Sequence, residues 1–90
     1  MVQVVSIGAI NYDINLFLER FPKIGEEVPV KNITRIPGGK GANVAVAAAR
    51  VLGINEVAFI GGLGDDQIAE RQKDVLKSEG VDIRGIITVK

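Results

Sequence analysis

Pro37-Gly38-Gly39-Lys40-Gly41-Ala42-Asn43 leads without a break into Val44-Ala45-Val46-Ala47-Ala48-Ala49-Arg50-Val51-Leu52-Gly53. Glycines at 38, 39 and 41 let a backbone approach something closely, or turn where a side chain would clash. The alanine-rich run has the composition of a helix that packs flush against a sheet, and Gly53 is a natural stop for it. The glycines therefore mark a helix N-terminus. The first N–H groups there lack intrahelical partners, and the dipole end is positive. Such an end suits a phosphate, a carboxylate or sugar hydroxyls. Lys40 adds a charge, and Asn43 adds an amide that both donates and accepts. A plain loop-to-helix turn would use the same residues. Neither standard phosphate motif fits. Gly41 follows Lys40 where a Walker A loop needs Ser or Thr, and Val44 stands where the dinucleotide fingerprint needs its third glycine. Spacing alone leaves the ligand unnamed.

Upstream, Gln3-Val4-Val5-Ser6-Ile7-Gly8 reads as a short buried strand ended by glycine. In open α/β sheets, ligands bind at the carboxyl ends of strands. Asn11 and Asp13 lie just past such an end. One is an amide and one a carboxylate, a pair suited to gripping neighbouring hydroxyls; both residue types also serve simply to cap turns. From Ile14 to Glu19 the pattern alternates, with Ile14, Leu16 and Leu18 facing one way. A turn-rich connection follows, and Val28 to Ile36 reads as a second extended stretch. Pro29 and Pro37 suit an edge strand. No helix separates the two stretches, so residues 14–36 are expected to form a small antiparallel flap. Bracketed by the Asn11/Asp13 loop and the glycine turn, it is placed to act as a lid that excludes water. A surface hairpin or a dimerisation surface are the other readings.

Downstream, Val57-Ala58-Phe59-Ile60 is a second buried strand, parallel to the first through the intervening helix. Gly61-Gly62-Leu63-Gly64 reads as a second glycine loop, and Asp65 or Asp66 caps the next helix. That helix is expected from about Gln67 to Ser78, with a thin stripe of Ile68, Val75 and Leu76 and with Gln72 among them. Val81 to Val89 begins a third strand. Three parallel strands and two helices cannot easily cover both sheet faces, and an uncovered edge invites pairing. The expectation is part of a longer protein, or a chain that needs a partner.

Composition narrows the function classes. Eleven basic residues balance eleven acidic ones, with no basic block, which removes the electrostatic footprint of a nucleic-acid binder. With no cysteine and no histidine, this stretch offers no disulfide, no zinc site of the usual ligands and no histidine-based triad. No apolar run reaches the roughly 18 residues of a membrane span. Met1-Val2-Gln3-Val4 lacks a basic signal-peptide region. These features point to a cytoplasmic protein engaging neither nucleic acid nor membrane. Hydrophobic content of 47% with only 4% aromatics fits a parallel sheet of Val and Ile covered by helices.

Taken together, five stretches resemble the N-terminal part of the ribokinase-like (PfkB) family of carbohydrate and nucleoside kinases. They are Gly8-Ala9-Ile10-Asn11-Tyr12-Asp13, Phe21-Pro22-Lys23-Ile24-Gly25-Glu26-Glu27-Val28, the run from Pro37 to Ala45, Gly61-Gly62-Leu63-Gly64-Asp65-Asp66, and Glu79-Gly80-Val81-Asp82. The resemblance implies an α/β fold of parallel sheet, flanking helices and β-flap lid, and transfer of the ATP γ-phosphoryl group to a sugar hydroxyl. By resemblance, Asn11, Asp13, Gly38, Gly39, Lys40 and Asn43 bind the sugar, and the flap closes over it and often joins two subunits. Residues 1–90 then form the N-terminal portion of a kinase domain. The family's catalytic base lies in a glycine-alanine-glycine-aspartate turn that these residues do not contain. ATP and Mg2+ are likewise expected to bind the absent C-terminal part, with neither held by this chain alone. Ala69, Gln72 and Lys73 depart from the family pattern, which has glycine at the first position and apolar residues at the others. An inactive sugar-binding or dimerisation fragment, and a nucleoside kinase, are the alternative readings.

Overall fold

The computed structural model describes all 90 residues, Met1–Lys90. Its elements in chain order are β1 (Val4–Ile7), β2 (Asn11–Phe17), β3 (Asn32–Gly38), α1 (Lys40–Leu52), β4 (Val57–Leu63), α2 (Gln67–Ser78) and β5 (Val81–Thr88). Strands β1, β4 and β5 form a parallel sheet in the order β1-β4-β5. Strands β2 and β3 form a separate antiparallel hairpin. The expected α/β architecture with a parallel sheet and a β-flap is therefore present.

The core lies between the sheet and both helices. Ala42, Ala45 and Ala49 of α1 recur at i, i+3 and i+7, and all are buried. Their small side chains let the helix come down on the large ones opposite. Phe59 and Val57 of β4 are 0% exposed and join those alanines, Leu76 of α2 and Val81 of β5 in one cluster. Full burial of each such Val or Phe contributes about 1.5–3 kcal/mol. Arg50 of α1 meets Glu79, just past α2, in a two-point ion pair at 2.8 Å, which ties the two helices together on one sheet face. The other face carries Val5, Ile7, Ile60 and Ile87, all substantially exposed, as period-2 alternation demands of a sheet with helices on one side. None of the helices is long and apolar enough to cross a membrane.

Several expected boundaries shift. Asn11 and Asp13 are not in a loop. They lie in β2, paired with Gly38 and Ile36 of β3, so the flap extends beyond 14–36 at its base. At its far end, pairing starts only at Asn32. Pro29 has no N–H to extend the ladder, and Val28, Pro29 and Val30 stay unpaired. Strand β4 runs on through Gly61 and Gly62, which pair with Ile86 and Ile87 of β5, where a glycine loop was expected. A β-carbon at Gly61 would stand 2.9 Å from the Phe59 ring, so the glycine makes room for the core phenylalanine. The buried stripe of α2 is Ala69, Gln72 and Leu76; Ile68 and Val75 lie partly in solvent. Asp66 is the cap of α2, accepting from the Ala69 N–H at 2.8 Å.

The molecule is elongated, 53 × 31 × 19 Å, with a radius of gyration of 16.2 Å. A compact domain of this length would have about 12 Å. The difference comes from the hairpin, whose strands pack mainly on each other and stand away from the sheet.

Candidate functional site

The glycine turn owes its composition to backbone meeting backbone. Gly39 caps α1 at φ 102, a conformation L side chains avoid. A β-carbon on it would fall 2.6 Å from the Ala9 carbonyl oxygen and 2.8 Å from the Asn11 nitrogen. One at Gly41 would fall 2.9 Å from Gly8. The Ala42 N–H donates to the Ala9 carbonyl at 3.2 Å. The buried Ser6 hydroxyl donates to the Gly41 carbonyl at 2.8 Å. The segment Gly8–Asn11 and the start of α1 are thus clamped face to face, which fixes where the polar side chains on either side can reach.

Those side chains come from two elements. On β2, alternation puts Asn11 and Asp13 on one hairpin face, together with Gly38 opposite. The Asp13 carboxylate lies directly over Gly38, in the space a side chain there would fill. On α1, Lys40 opens the helix and Asn43 follows one turn later, its N–H bonded to the Gly39 carbonyl at 2.9 Å. No side chain caps the N-terminus of α1. The side chains of Asn11, Asp13, Lys40 and Asn43 are all exposed, and none is engaged in a hydrogen bond or ion pair within the chain. Two amides, a carboxylate and an ammonium group are thereby left around one helix end.

Sequence reasoning thus names residues that the structure brings to one place: Asn11, Asp13, Gly38 and Gly39 lie at the root of the hairpin, and Lys40 and Asn43 lie on the adjoining turn of α1. A cleft of about 430 Å³ opens beside them between α1, α2 and the hairpin root. Gly38 and Asn43 of the expected set line it, with Ile10, Pro37 and Gln72. Its size falls in the usual range for small-molecule sites. Two residues escaped the sequence reading. Ser6 was legible only as the one polar residue in an apolar strand. Gln72 was noted for its place in the helix stripe, but its partner, the Asn11 carbonyl at 2.6 Å, is 61 residues away.

A parallel sheet with helices on one face, a projecting hairpin and a glycine-built helix end beside its root define an α/β scaffold with a small-molecule-sized cleft. All 90 residues match the family described as "pfkB family carbohydrate kinase", and the chain belongs to that family. It is 40% identical over 89 residues to a ribokinase of Lactococcus lactis, a match covering 99% of this chain and 29% of that protein. It superposes with a TM-score of 0.82 on Arabidopsis thaliana ribokinase complexed with ribose and ATP, at 32% identity, covering 100% of this chain and 29% of that one. A nucleoside kinase of Methanothermobacter thermautotrophicus is 28% identical over 85 residues, covering 94% of this chain and 27% of that protein. The chain thus spans under a third of the length of each of these relatives.

Proposed function

We propose that these residues form the acceptor-binding part of a sugar kinase that transfers the ATP γ-phosphoryl group to a sugar hydroxyl. The observation that carries this reading is the uncommitted set Asn11, Asp13, Lys40 and Asn43, gathered around a helix end whose glycines hold it against Gly8–Asn11. A sugar presents neighbouring hydroxyls, each both donor and acceptor. Asp13 accepts from two of them, while the amides of Asn11 and Asn43 supply both roles. Lys40 adds an ammonium group that donates to the same hydroxyls. Gly38 leaves room for the Asp13 carboxylate, and Gly39 for the backbone of Ala9–Asn11. The hairpin, rooted at Asn11 and Gly38, serves as the lid over the bound sugar. Holding the acceptor in one orientation and excluding water is the main protein contribution to phosphoryl transfer, which relies on positioning and charge stabilisation.

The nucleotide and its metal are not assigned to these residues. In this reading the catalytic base, ATP and Mg2+ belong to the greater length of sequence that the relatives carry. A cytoplasmic setting is part of this reading. Pairing of two copies through the flap or the sheet edge is part of the same reading, and Phe17, Leu16 and Ile33 of the hairpin are exposed enough to take part.

A nucleoside acceptor is the second reading, favoured by the nucleoside kinase relative. An inert sugar-binding or dimerisation role is the third. The deciding experiment incubates the full-length protein with ATP, magnesium and a panel of pentoses, hexoses and nucleosides. Phosphorylation of a sugar that Asp13→Ala and Asn43→Ala reduce at least a hundredfold in kcat/KM supports the first reading. Turnover of nucleosides alone selects the second. Binding without turnover selects the third.

A further inference from the structure

The buried stripe of α2 contains one polar residue, Gln72, which is 3% exposed between Ala69 and Leu76. An amide in such a stripe is costly unless its hydrogen bonds are met. Its Nε2 donates to the main-chain oxygen of Asn11 at 2.6 Å. Asn11 is the first residue of β2 and faces Gly38, the last residue of β3. The bond therefore reaches the root of the hairpin, at the point where both strands leave the domain. Beyond that root the strands pack mainly on each other, so the hairpin's direction is set at the root, by this bond together with the backbone clamp of Gly39 and Gly41 on Gly8–Asn11. A hydrogen-bonded amide in a low-dielectric setting fixes geometry more narrowly than an apolar contact does.

We propose that Gln72 is a positioning residue for the acceptor site. By holding the Asn11 carbonyl, it sets the angle at which the hairpin root leaves the domain, and with it the direction in which Asn11 and Asp13 present their side chains. The role in sugar binding rests on the function proposed above; the latch itself does not.

The test uses the full-length protein with Gln72→Met, which keeps the length and removes the donor, and Gln72→Glu. A carboxylate facing a carbonyl repels it, and protonation restores an O–H donor. The first readout is amide hydrogen exchange, which needs no activity. Loss of one hydrogen bond is expected to speed exchange about fivefold to tenfold at Asp13, Ile36 and Gly38 in Gln72→Met, with α2 unchanged. In Gln72→Glu the same acceleration is expected at pH 7.5 and is relieved, relative to wild type, at pH 5. The second readout is kinetic. The sugar KM should rise about fivefold to tenfold, with kcat and the ATP KM within about twofold, as for a change in binding alone. Unchanged exchange at the hairpin root overturns the proposal, as does loss of protection across α2 and the root alike. An unchanged sugar KM beside faster exchange overturns the positioning role. If the wild-type protein phosphorylates neither sugars nor nucleosides, the proposed function fails, and the exchange data alone decide whether the latch exists.

Discussion

The Asp13 carboxylate occupies the space that a side chain at Gly38 would need. The two residues belong to neighbouring strands, two residues out of register with each other on the same face, with Asn11 opposite Gly38 and Asp13 opposite Ile36. Glycine at 38 is therefore a condition for the carboxylate's position, and any side chain there has to push it away.

Gly38→Ala is expected to displace Asp13. The carboxylate is the far end of an exposed side chain and swings aside at little cost, so the thermal melt should stay close to wild type. Sugar affinity in the full-length protein should nonetheless fall about tenfold or more. Wild-type affinity in Gly38→Ala would sink the proposed role of the Asp13–Gly38 contact.

Gly39 and Gly53 form a natural control pair. Their φ values are 102 and 105, so both are strained for any L residue. Nothing lies within 4 Å of a β-carbon at Gly53, whereas one at Gly39 strikes the backbone of Ala9, Ile10 and Asn11. Gly53→Ala should cost about 1–3 kcal/mol from backbone strain alone. Gly39→Ala should cost clearly more in the same urea titration. Equal losses would mean that the close approach to Ala9–Asn11 contributes nothing.

Ser6→Ala removes the side-chain donor to the Gly41 carbonyl, which keeps its partner within α1. The expected loss is about 0.5–1.5 kcal/mol, read as a lower urea midpoint with an unchanged slope. Ser6→Thr keeps the donor and tests whether the hydroxyl or the small volume matters. A midpoint unchanged in Ser6→Ala would show that the hydroxyl does not hold α1 to β1.

Asp82 gives the fold an acid-side dependence. Strand β5 carries an extra residue opposite β4 between Asp82 and Gly85. The Asp82 carboxylate braces that bulge by accepting from the Arg84 guanidinium at 2.6 and 3.0 Å and from the Arg84 backbone N–H at 3.0 Å. The guanidinium bonds first, and the N–H second, lower its pKa from 3.8 to about 2. A depressed carboxylate contributes stability that is fully present above its unfolded pKa and is lost as pH falls through the folded one. Asp82→Asn should therefore be less stable than wild type at pH 7. The gap should shrink between pH 4 and pH 2, the window set by those two values. A gap that persists unchanged below pH 2 would contradict the assignment, as would a carboxyl that titrates near 4 by carbon-detected NMR.

Much of this protein is written in local sequence. The glycine-alanine run fixes α1 because Gly39 and Gly53 bracket a string of good helix formers. Asp66 and Gly80 fix α2 by the same local chemistry, capping and positive φ. Apolar runs placed β1, β4 and β5 in the order a parallel sheet needs, and the polar residues Asn11, Asp13, Lys40 and Asn43 could be singled out because each flanks a glycine turn or a strand end. Tertiary structure decided the rest, because it depends on groups far apart in the chain. Gly61 and Gly62 read as a loop, yet β5 recruits them into β4 by pairing. Ile68 looked like core, yet the cap at Asp66 and the sheet beneath turn Ala69, Gln72 and Leu76 inward instead. The clamp of Gly39 and Gly41 on Gly8–Asn11 and the reach of Gln72 to Asn11 join residues 28 to 61 positions apart. No periodicity encodes such contacts. They exist only once burial has brought two backbones together and each enclosed polar group has had to find its partner.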